Sequence, residues 1–317
     1  MKCPRITIGI LNRDGEEFLK KVIPNLLKLK YPNYEILVVD NYSKDRSIDY
    51  LKKISSKIRI IRNSENKGYG YGKNQIVKNS KGEYVLMLDN DIQINDKDFL
   101  KKIYNFYRGN KKLSFLSVPL IDDGFNLTEH YGLFFTSRKK KIDFTKILKK
   151  KSYSSGGFIG GLVFFKKIDF EELNYFDEKY PFNLDDYDLS ARSWLKAMEI
   201  KIYTKTSATH LGVNNRINVN SFCWKNKYYL CGFSRMILKN YRLNKVIIWL
   251  PLAQSWIFYK SIKACFKLKS FKPLLSYFSS YYLFLRDFSD TLEKRKIIQS
   301  KRVVKEDIFL KIKPPKF

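Results

Sequence analysis

The stretch Y-V-L-M-L-D-N-D-I-Q-I, residues 84–94, decides the fold class. Its first five residues are apolar or aromatic, which is typical of a strand buried on both faces of a parallel sheet. The run ends in Asp89-Asn90-Asp91, so two carboxylates and an amide directly follow the strand. Open α/β sheets bind ligands at this end of their strands, and oxygen ligands suit Mg²⁺ or Mn²⁺. The alternative is a solvated turn after a core strand, because D-x-D alone is a weak signal.

Three further apolar runs precede this stretch and are also predicted strands: Arg5–Ile10, Glu35–Asp40 and Ile58–Ile61. Helical spacing over residues 16–29 predicts a helix after the first strand, which Pro24 should kink or restart. The glycine-rich loop N-K-G-Y-G-Y-G-K-N, residues 66–74, opens a second helix that is predicted to run to about Asn79. This alternation of strand and helix predicts an α/β fold with a parallel, doubly wound sheet.

The glycine-rich loop does not match the nucleotide-binding fingerprints of other α/β proteins. A Walker A motif needs Ser or Thr after its Lys, but Asn74 follows Lys73 here. A dinucleotide motif that starts at Gly68 needs its last glycine where Lys73 stands. The sequence therefore excludes both a P-loop and an NAD site at this loop.

Two later segments are further candidates for a functional site. The glycine pairs of residues 156–161 precede a predicted strand and allow the backbone to approach a ligand closely; a bulge is the alternative. Asp185 and Asp186 open a predicted amphipathic helix, where a carboxylate can cap the helix or act as a base. Asp188 and Arg192 are four residues apart and can pair on the face of this helix.

Two other features are ambiguous in the sequence. His210 is one of only two histidines, and it is either a structural residue or a ligand. Residues 138–151 are strongly basic, which is typical of a solvated loop and also compatible with contact to an acceptor or a membrane.

The composition indicates a folded, strongly basic protein with an anionic partner. The net charge is +30, and residues 221–317 carry 21 Lys and Arg against 5 Asp and Glu. The shift in charge predicts a boundary near residues 215–222, with one region at 1–220 and a basic region at 221–317. The four cysteines form no C-x-x-C pair and are predicted to be free thiols in a reducing compartment. No signal peptide is expected, because the first residues lead straight into a strand.

The basic region also contains two aromatic, apolar runs. Val246–Tyr259 has only 14 residues and includes Pro251, so it is too short to span a bilayer. Aromatic and basic residues interleave here and in Leu274–Leu285, as in helices that lie at an anionic membrane surface. The alternative is a helical subdomain that packs these aromatic residues on the core.

Taken together, these segments resemble the family 2 glycosyltransferases of the GT-A fold, and among them the rhamnosyltransferase-like branch. The resemblance covers about residues 5–213. It rests on an ordered set of motifs: V-V-D-N-Y-S-K-D (38–45), N-x-G-Y-G-x-G-x-N (66–74), L-D-N-D (88–91), G-G-x-x-G-G (156–161), F-D-E (176–178), D-D-Y-D-L-x-x-R (185–192) and His210. It implies a Rossmann-like, mostly parallel sheet with helices on both faces, followed by a basic, aromatic-rich helical region.

The resemblance also implies roles for individual residues. Thr7, Asp40, Asn66, Gly68, Asp89 and Gly160 would bind the nucleotide-sugar donor. Asp91 would bind a divalent cation, Mn²⁺ or Mg²⁺, with Asp89 and His210 as further ligands. Asp186 would be the catalytic base, and Asp185 is the competing choice because the chain has Asp-Asp where the family more often has Glu-Asp.

These roles predict a metal-dependent, inverting glycosyltransferase. Its partners would be a nucleoside-diphosphate sugar and a glycan or lipid-linked acceptor, at the cytoplasmic face of an anionic membrane, and no nucleic acid is expected. The alternative is a non-catalytic protein that binds membrane or nucleic acid on a degenerate transferase fold, which the charge alone permits.

Overall fold

A computed structural model describes residues 3–55, 57–122, 147–180, 184–212 and 219–313. The basic segment 138–151 and the predicted boundary at 215–222 lie partly outside these ranges. The strands are β1 (Ile6–Asn12), β2 (Tyr34–Asp40), β3 (Ile58–Arg62), β4 (Tyr84–Asp89), β5 (Ile92–Gln93), β6 (Leu113–Ser117), β7 (Leu120–Ile121), β8 (Ser152–Ser154), β9 (Leu162–Lys166), β10 (Glu199–Tyr203) and β11 (Ala208–His210). The helices are α1 (Glu16–Leu26), α2 (Ser47–Ile54), α3 (Tyr69–Asn79), α4 (Phe99–Arg108), α5 (Lys167–Glu172), α6 (Asp185–Leu195), α7 (Val219–Asn240), α8 (Leu243–Leu268), α9 (Lys272–Arg286) and α10 (Phe288–Ser300).

The main sheet has eight strands in the order β3-β2-β1-β4-β9-β6-β10-β8. The first four strands pair in parallel, and so do β6 and β10. β9 runs antiparallel to both of its neighbours, β4 and β6. A second sheet has the order β5-β11-β7 and brings β11 beside the segment that follows β4. The predicted α/β fold with a mainly parallel sheet is confirmed.

Helices cover both faces of the main sheet, as expected for parallel strands that are apolar throughout. Alternate residues of β2 illustrate this, because Ile36 and Val38 pack in one core while Leu37 and Val39 pack in the other. The first core also contains residues of α1, α2 and α4, and the second contains residues of α3, α5, α6 and α7. Both faces of the sheet are therefore covered by apolar cores, and a ligand can bind only at the ends or edges of the strands.

Two details differ from the prediction. β1 runs to Asn12, two residues beyond the predicted end at Ile10. α1 is one helix that contains Pro24 and ends at Leu26, so the predicted restart at Pro24 was wrong. Proline lacks the N–H that would donate to the Lys20 carbonyl, and the helix continues for only two residues beyond it.

The helices α7–α10 follow the second sheet, and α7 packs on α6, α8, α9 and α10. No helix in the described part of the chain is long and apolar enough to cross a membrane. The four cysteines are free thiols, as predicted.

Candidate functional site

Three parallel strands end together at one edge of the main sheet. Asn12 at the end of β1 pairs in register with Asp40 at the end of β2, and Leu11 pairs with Asp89 at the end of β4. The carboxyl edge therefore collects Asn12, Asp40 and Asp89, which places three of the polar segments identified in the sequence side by side.

The Asn12 side chain holds these strand ends together. Its Nδ2 donates to Asp40 Oδ1 at 3.1 Å, Ser43 Oγ at 3.1 Å and Ser47 Oγ at 3.0 Å. Its Oδ1 accepts a hydrogen bond of 2.9 Å from Nδ2 of Asn90, the middle residue of the D-x-D motif. Asn12 was not among the predicted site residues, since its partners lie 28 or more residues away along the chain.

Asp40 and the glycine-rich loop lie next to one another at this edge. Asp40 is fully buried and accepts hydrogen bonds from Asn12, from the Ser43 backbone N–H at 3.1 Å and from the Ser43 hydroxyl. Asn41 Nδ2 donates to Asn66 Oδ1 at 2.8 Å and to the Gly68 carbonyl at 3.0 Å. Gly68 has φ +96°, a conformation that favours glycine, and a Cβ there would meet no atom within 4 Å. The loop is thus anchored to the end of β2 while Gly68 borders open space.

Asp91 and His210 are brought together by the small sheet. β5 pairs with β11, and His210 Nε2 lies 3.2 Å from Asp91 Oδ2. The hydrogen bond with Asp91 raises the pKa of His210 above its ordinary value, and Asp89 contributes to this shift through its charge. A Cβ on Gly212 would lie 2.2 Å from Asp91 Oδ2, so a larger residue there would displace this carboxylate from its present position.

The Asp91 carboxylate and the His210 imidazole are suited to bind a divalent cation whose remaining coordination positions are filled by a bound ligand. Carboxylate oxygens suit Mg²⁺ and Mn²⁺, and imidazole is a further transition-metal ligand. No cluster of three or more potential metal ligands occurs among the residues that the structure describes. Asp91 and His210 would therefore supply part of a coordination sphere and leave the other positions to water or phosphate oxygens.

Asp89 interacts with two residues of α3 that sequence analysis did not single out. Lys73 is fully buried, and its Nζ lies 3.0 Å from Asp89 Oδ1 and donates to the Gly160 carbonyl and to Tyr69 Oη. The Tyr69 hydroxyl donates to Asp89 Oδ1 at 2.8 Å. In the sequence, Lys73 served only to rule out the dinucleotide-binding fingerprint, whereas its burial in the structure indicates that it pairs with Asp89. Lysine is rarely buried without an ionic partner.

The glycine pair 160–161 lies between the carboxylates of β4 and α6. The Asp89 backbone N–H donates to the Gly161 carbonyl at 2.9 Å. A Cβ on Gly161 would lie 3.3 Å from Asp89 Oδ2, and one on Gly160 would lie 3.0 Å from Asp186 Oδ2. The backbone at these glycines therefore closely approaches the side chains of two candidate site residues, Asp89 and Asp186.

Asp185 and Asp186 are the first residues of α6, as predicted, but the N-cap position is Leu184. Asp186 Oδ1 accepts a hydrogen bond of 2.8 Å from the backbone N–H of Tyr187 in the first turn. Asp185 is buried, with no hydrogen-bond partner for Oδ2 among the described residues, whereas Asp186 is partly exposed. Burial, followed by the like charge of Asp186, raises the pKa of Asp185 to about 7. The two carboxyl groups therefore differ in exposure, and only Asp186 is open to solvent.

Thr7 is not part of this cluster, and its predicted position was wrong. It is the second residue of β1, roughly 17 Å from Asn12 at the usual rise per residue of a strand. Its hydroxyl donates to Glu35 Oε1 at 2.6 Å and accepts from the Gly82 N–H at 2.9 Å, so it joins strands at the opposite edge. The apolar run alone did not show where the strand ends.

Comparison with known proteins places the chain in a family. The sequence profile described as Glycosyl transferase family 2 matches residues 6–173, more than half of the chain. The chain belongs to glycosyl transferase family 2. The rhamnosyltransferase-like branch stays a prediction.

Curated relatives of this family 2 transferase match it over part of their length. The chain is 33% identical over 113 residues to the poly(ribitol-phosphate) beta-glucosyltransferase of Bacillus spizizenii, a match that covers 34% of this chain and 18% of that protein. It is 29% identical over 205 residues to an uncharacterized glycosyltransferase of Rickettsia felis, which covers 62% of this chain and 32% of that protein. The match thus spans at most a third of the length of either relative.

Solved structures show the same fold over nearly the whole transferase. TarS 1-349 of S. aureus has a TM-score of 0.59 at 15% identity and covers 96% of this chain and 89% of that one. The mannosyltransferase PcManGT of Pyrobaculum calidifontis, in complex with GDP-Man and Mn²⁺, has a TM-score of 0.58 at 14% identity and covers 98% and 86%. These likenesses establish the GT-A-type fold, including the helical C-terminal region.

The raised pKa of Asp185 leads to a prediction about stability. A carboxyl group whose pKa is raised on folding binds more protons in the native than in the unfolded state, so the contribution of Asp185 to stability should fall as pH rises from about 4 to about 7. Asp185→Asn removes the ionisation, and we expect it to increase the free energy of unfolding at pH 8 by at most about 4 kcal/mol, but hardly at pH 4. Urea unfolding at both pH values measures this.

The exposed Asp49 on α2 provides the control for this measurement. Asp49→Asn should leave the pH dependence of stability as in the wild type. If Asp185→Asn shows the same profile as the wild type, Asp185 does not ionise with a raised pKa in the folded protein.

Proposed function

We propose that the protein is an inverting glycosyltransferase that moves a sugar from a nucleoside-diphosphate sugar to a hydroxyl of a glycan or lipid-linked glycan. The observation that carries this proposal is the position of Asp186, partly exposed and against Gly160, next to the Gly161–Asp89 contact. Family membership supports the transfer of a sugar, and the structural relatives in complex with GDP-Man and with UDP support a nucleotide-sugar donor.

The proposed reaction is a single displacement with Asp186 as the general base. Its carboxylate accepts the proton of the acceptor hydroxyl, the acceptor oxygen forms a bond to the anomeric carbon, and the bond from that carbon to the diphosphate breaks. The nucleoside diphosphate leaves on the opposite face, which inverts the configuration. The exposure of Asp186 supports this choice over Asp185, because a base must reach the proton that it removes.

The donor would lie along the carboxyl edge of the strands. Asp40, Asn66 and Gly68 line the part of this edge where the nucleoside would bind, and Asp89 lies nearer to Asp186, where the sugar would be. Lys73, which is paired with Asp89, fixes the orientation of that carboxylate. A divalent cation held by Asp91 and His210, with Asp89 nearby, would act as a Lewis acid that neutralises charge on the departing diphosphate.

The charge of the protein supports a membrane surface as the site of action. We propose that it acts at the cytoplasmic face of an anionic membrane, where lipid-linked glycan acceptors are exposed. The basic region 221–317 supports this, since a positive surface attracts an anionic leaflet.

Calorimetric titration with UDP, GDP and dTDP, each with and without Mn²⁺, tests the proposal. We expect one nucleotide to bind in a Mn²⁺-dependent way, and Asp91→Ala to weaken this binding at least about tenfold because a metal ligand is lost. Asp45→Ala, on the loop before α2, is the control and should leave metal dependence unchanged.

The same titration separates the proposal from the non-catalytic alternative. Folded protein that binds none of the three nucleotides, but binds nucleic acid in a strongly salt-dependent way, would contradict the transferase assignment and favour that alternative.

A further inference from the structure

The packing of α8 and α9 uses many small and polar residues. Four of their nine buried positions are Ser or Ala: Ser261, Ala264, Ser276 and Ser280. The buried apolar cluster between these helices and α7 has only three members in the described structure: Leu230, Ile257 and Tyr277. Helices that are solvated by lipid pack in this way, through small residues and hydroxyl groups.

Hydrogen bonds between buried side chains accompany the small apolar cluster at this interface. Asn226 Nδ2 of α7 donates to Ser261 Oγ of α8 at 2.9 Å and to Ser276 Oγ of α9 at 3.2 Å. Asn226 and the two serines are buried. The three helices are therefore joined by a polar contact, and their apolar residues are left for another surface.

Five large apolar residues at the start of α9 and along it lie on its exposed side. They recur at intervals of four and three residues and form a continuous stripe: Phe271, Leu275, Phe278, Tyr282 and Leu285. α8 adds a neighbouring exposed set: Ile248, Leu252, Trp256 and Tyr259. An exposed apolar surface of this extent marks an interaction site.

The charges around this surface select the partner. No acidic residue occurs between Glu199 and Asp287, while this segment contains 15 Lys and Arg. The turn between α8 and α9 reads F-K-L-K-S-F-K, residues 266–272, and we refer to it as the tip. Phe266 and Phe271 are 81% and 80% exposed, which makes them the most exposed large apolar residues in the described structure, and they alternate with three exposed lysines. A second copy of the chain would bring like charges together, whereas an anionic bilayer supplies both the negative charge and the apolar interior.

We propose that the α8–α9 hairpin lies in the plane of an anionic membrane, with the tip and the α9 stripe inserted at the boundary between headgroups and acyl chains. This deepens the membrane contact of the proposed function by assigning it to one surface. It also explains why no membrane-spanning helix is needed in the described residues for attachment.

Flotation with lipid vesicles tests the proposal on the full chain. The wild type should float with vesicles of equal parts phosphatidylglycerol and phosphatidylcholine, and not with vesicles of phosphatidylcholine alone. Phe266→Ser combined with Phe271→Ser should lower binding roughly a hundredfold, since two aromatic side chains no longer enter the bilayer. Replacing Lys267, Lys269 and Lys272 by Gln should have an effect of similar size that vanishes at high salt.

A matched variant carries the same chemical change elsewhere. Ile168→Ser combined with Val303→Ser removes two exposed apolar side chains outside the hairpin and should leave vesicle binding unchanged. Equal loss of binding in this control and in the tip variant would overturn the proposal. So would a wild type that does not float but forms a dimer by light scattering, which the tip variant dissociates.

The test is independent of the transfer reaction. Nucleotide binding, measured by calorimetry without vesicles, should be the same in the tip variant and in the wild type. A protein that floats with vesicles but binds no nucleotide would contradict the proposed transfer reaction and support the membrane contact of the hairpin. A protein that binds nucleotide but no vesicles would support the transfer reaction and contradict the membrane contact.

Discussion

Asp186→Asn is expected to lower the rate of sugar transfer about 10²–10⁴-fold, because the acceptor hydroxyl would lose the proposed base that takes its proton. Asparagine keeps the shape of the side chain, including its contact with Gly160. Nucleotide binding and the unfolding curve should therefore stay close to those of the wild type. Release of nucleoside diphosphate from the donor, in the presence of acceptor, measures the rate once the donor is known.

Asp185→Asn provides the comparison within the same pair. Asp185 is buried and Asp186 is partly exposed, so we expect the substitution at 185 to reduce transfer less. Near-normal transfer by Asp186→Asn would remove it from the role of base. If Asp185→Asn then abolished transfer, the assignment within the pair would be reversed.

Lys239→Met is expected to destabilise the protein by about 3–5 kcal/mol, because it removes a buried cation that two buried carboxylates share. Lys239 is 1% exposed, and its Nζ lies 2.6 Å from Asp177 Oδ2 and 2.9 Å from Asp188 Oδ1. Burial alone would raise the pKa of Asp188, but Lys239 and Arg192 hold it below its ordinary value. Urea unfolding at neutral pH measures the loss.

Two variants identify the cause of this destabilisation. Lys263→Met removes an exposed lysine from α8 and should change the free energy of unfolding by less than about 0.5 kcal/mol. Asp188→Asn combined with Lys239→Met removes both charges and should recover part of the loss, since the effects of contacting residues are not additive. If Lys239→Met unfolds like the wild type, the ion pairs do not hold α7 against α6.

Asp188 lies two residues after Asp186, so the same ion pairs connect the helical C-terminal region to the proposed base. Arg235 of α7 adds a 2.9 Å hydrogen bond from Nε to Asp177 Oδ2, and Lys294 of α10 lies 2.7 Å from Asp177 Oδ1. The predicted division at residues 220 and 221 stays a prediction, but these contacts show that the two regions share buried charges.

The sequence predicted the fold well because buried parallel strands are continuous apolar runs. Tyr84–Asp89 was predicted with its observed bounds, and so was the start of α6 at Asp185. The Asp188–Arg192 pair was also predicted from its helical spacing, and Nε of Arg192 lies 3.0 Å from Asp188 Oδ2. These features depend on residues that are close together in the chain.

The sequence did not predict features that depend on distant residues. Lys73 meets Gly160, 87 residues later, and Lys239 meets Asp188 across 51 residues, so local spacing carried no signal for either. The Asp188–Arg192 pair was expected on the helix surface, but both side chains are buried under α7. Burial of charge follows from tertiary packing, which no local pattern encodes.

The position of β9 determines the order in which the sheet can be completed during synthesis. β9 lies between β4 and β6 in the main sheet. In the sequence, however, β9 begins more than seventy residues after the end of β4. Until residues 162–166 leave the ribosome, the first four strands present an unpaired apolar edge at β4, a site for pairing with other chains. A fragment that ends at residue 122 would keep this edge permanently, so aggregation, not a smaller folded domain, is the natural fate of such a truncation.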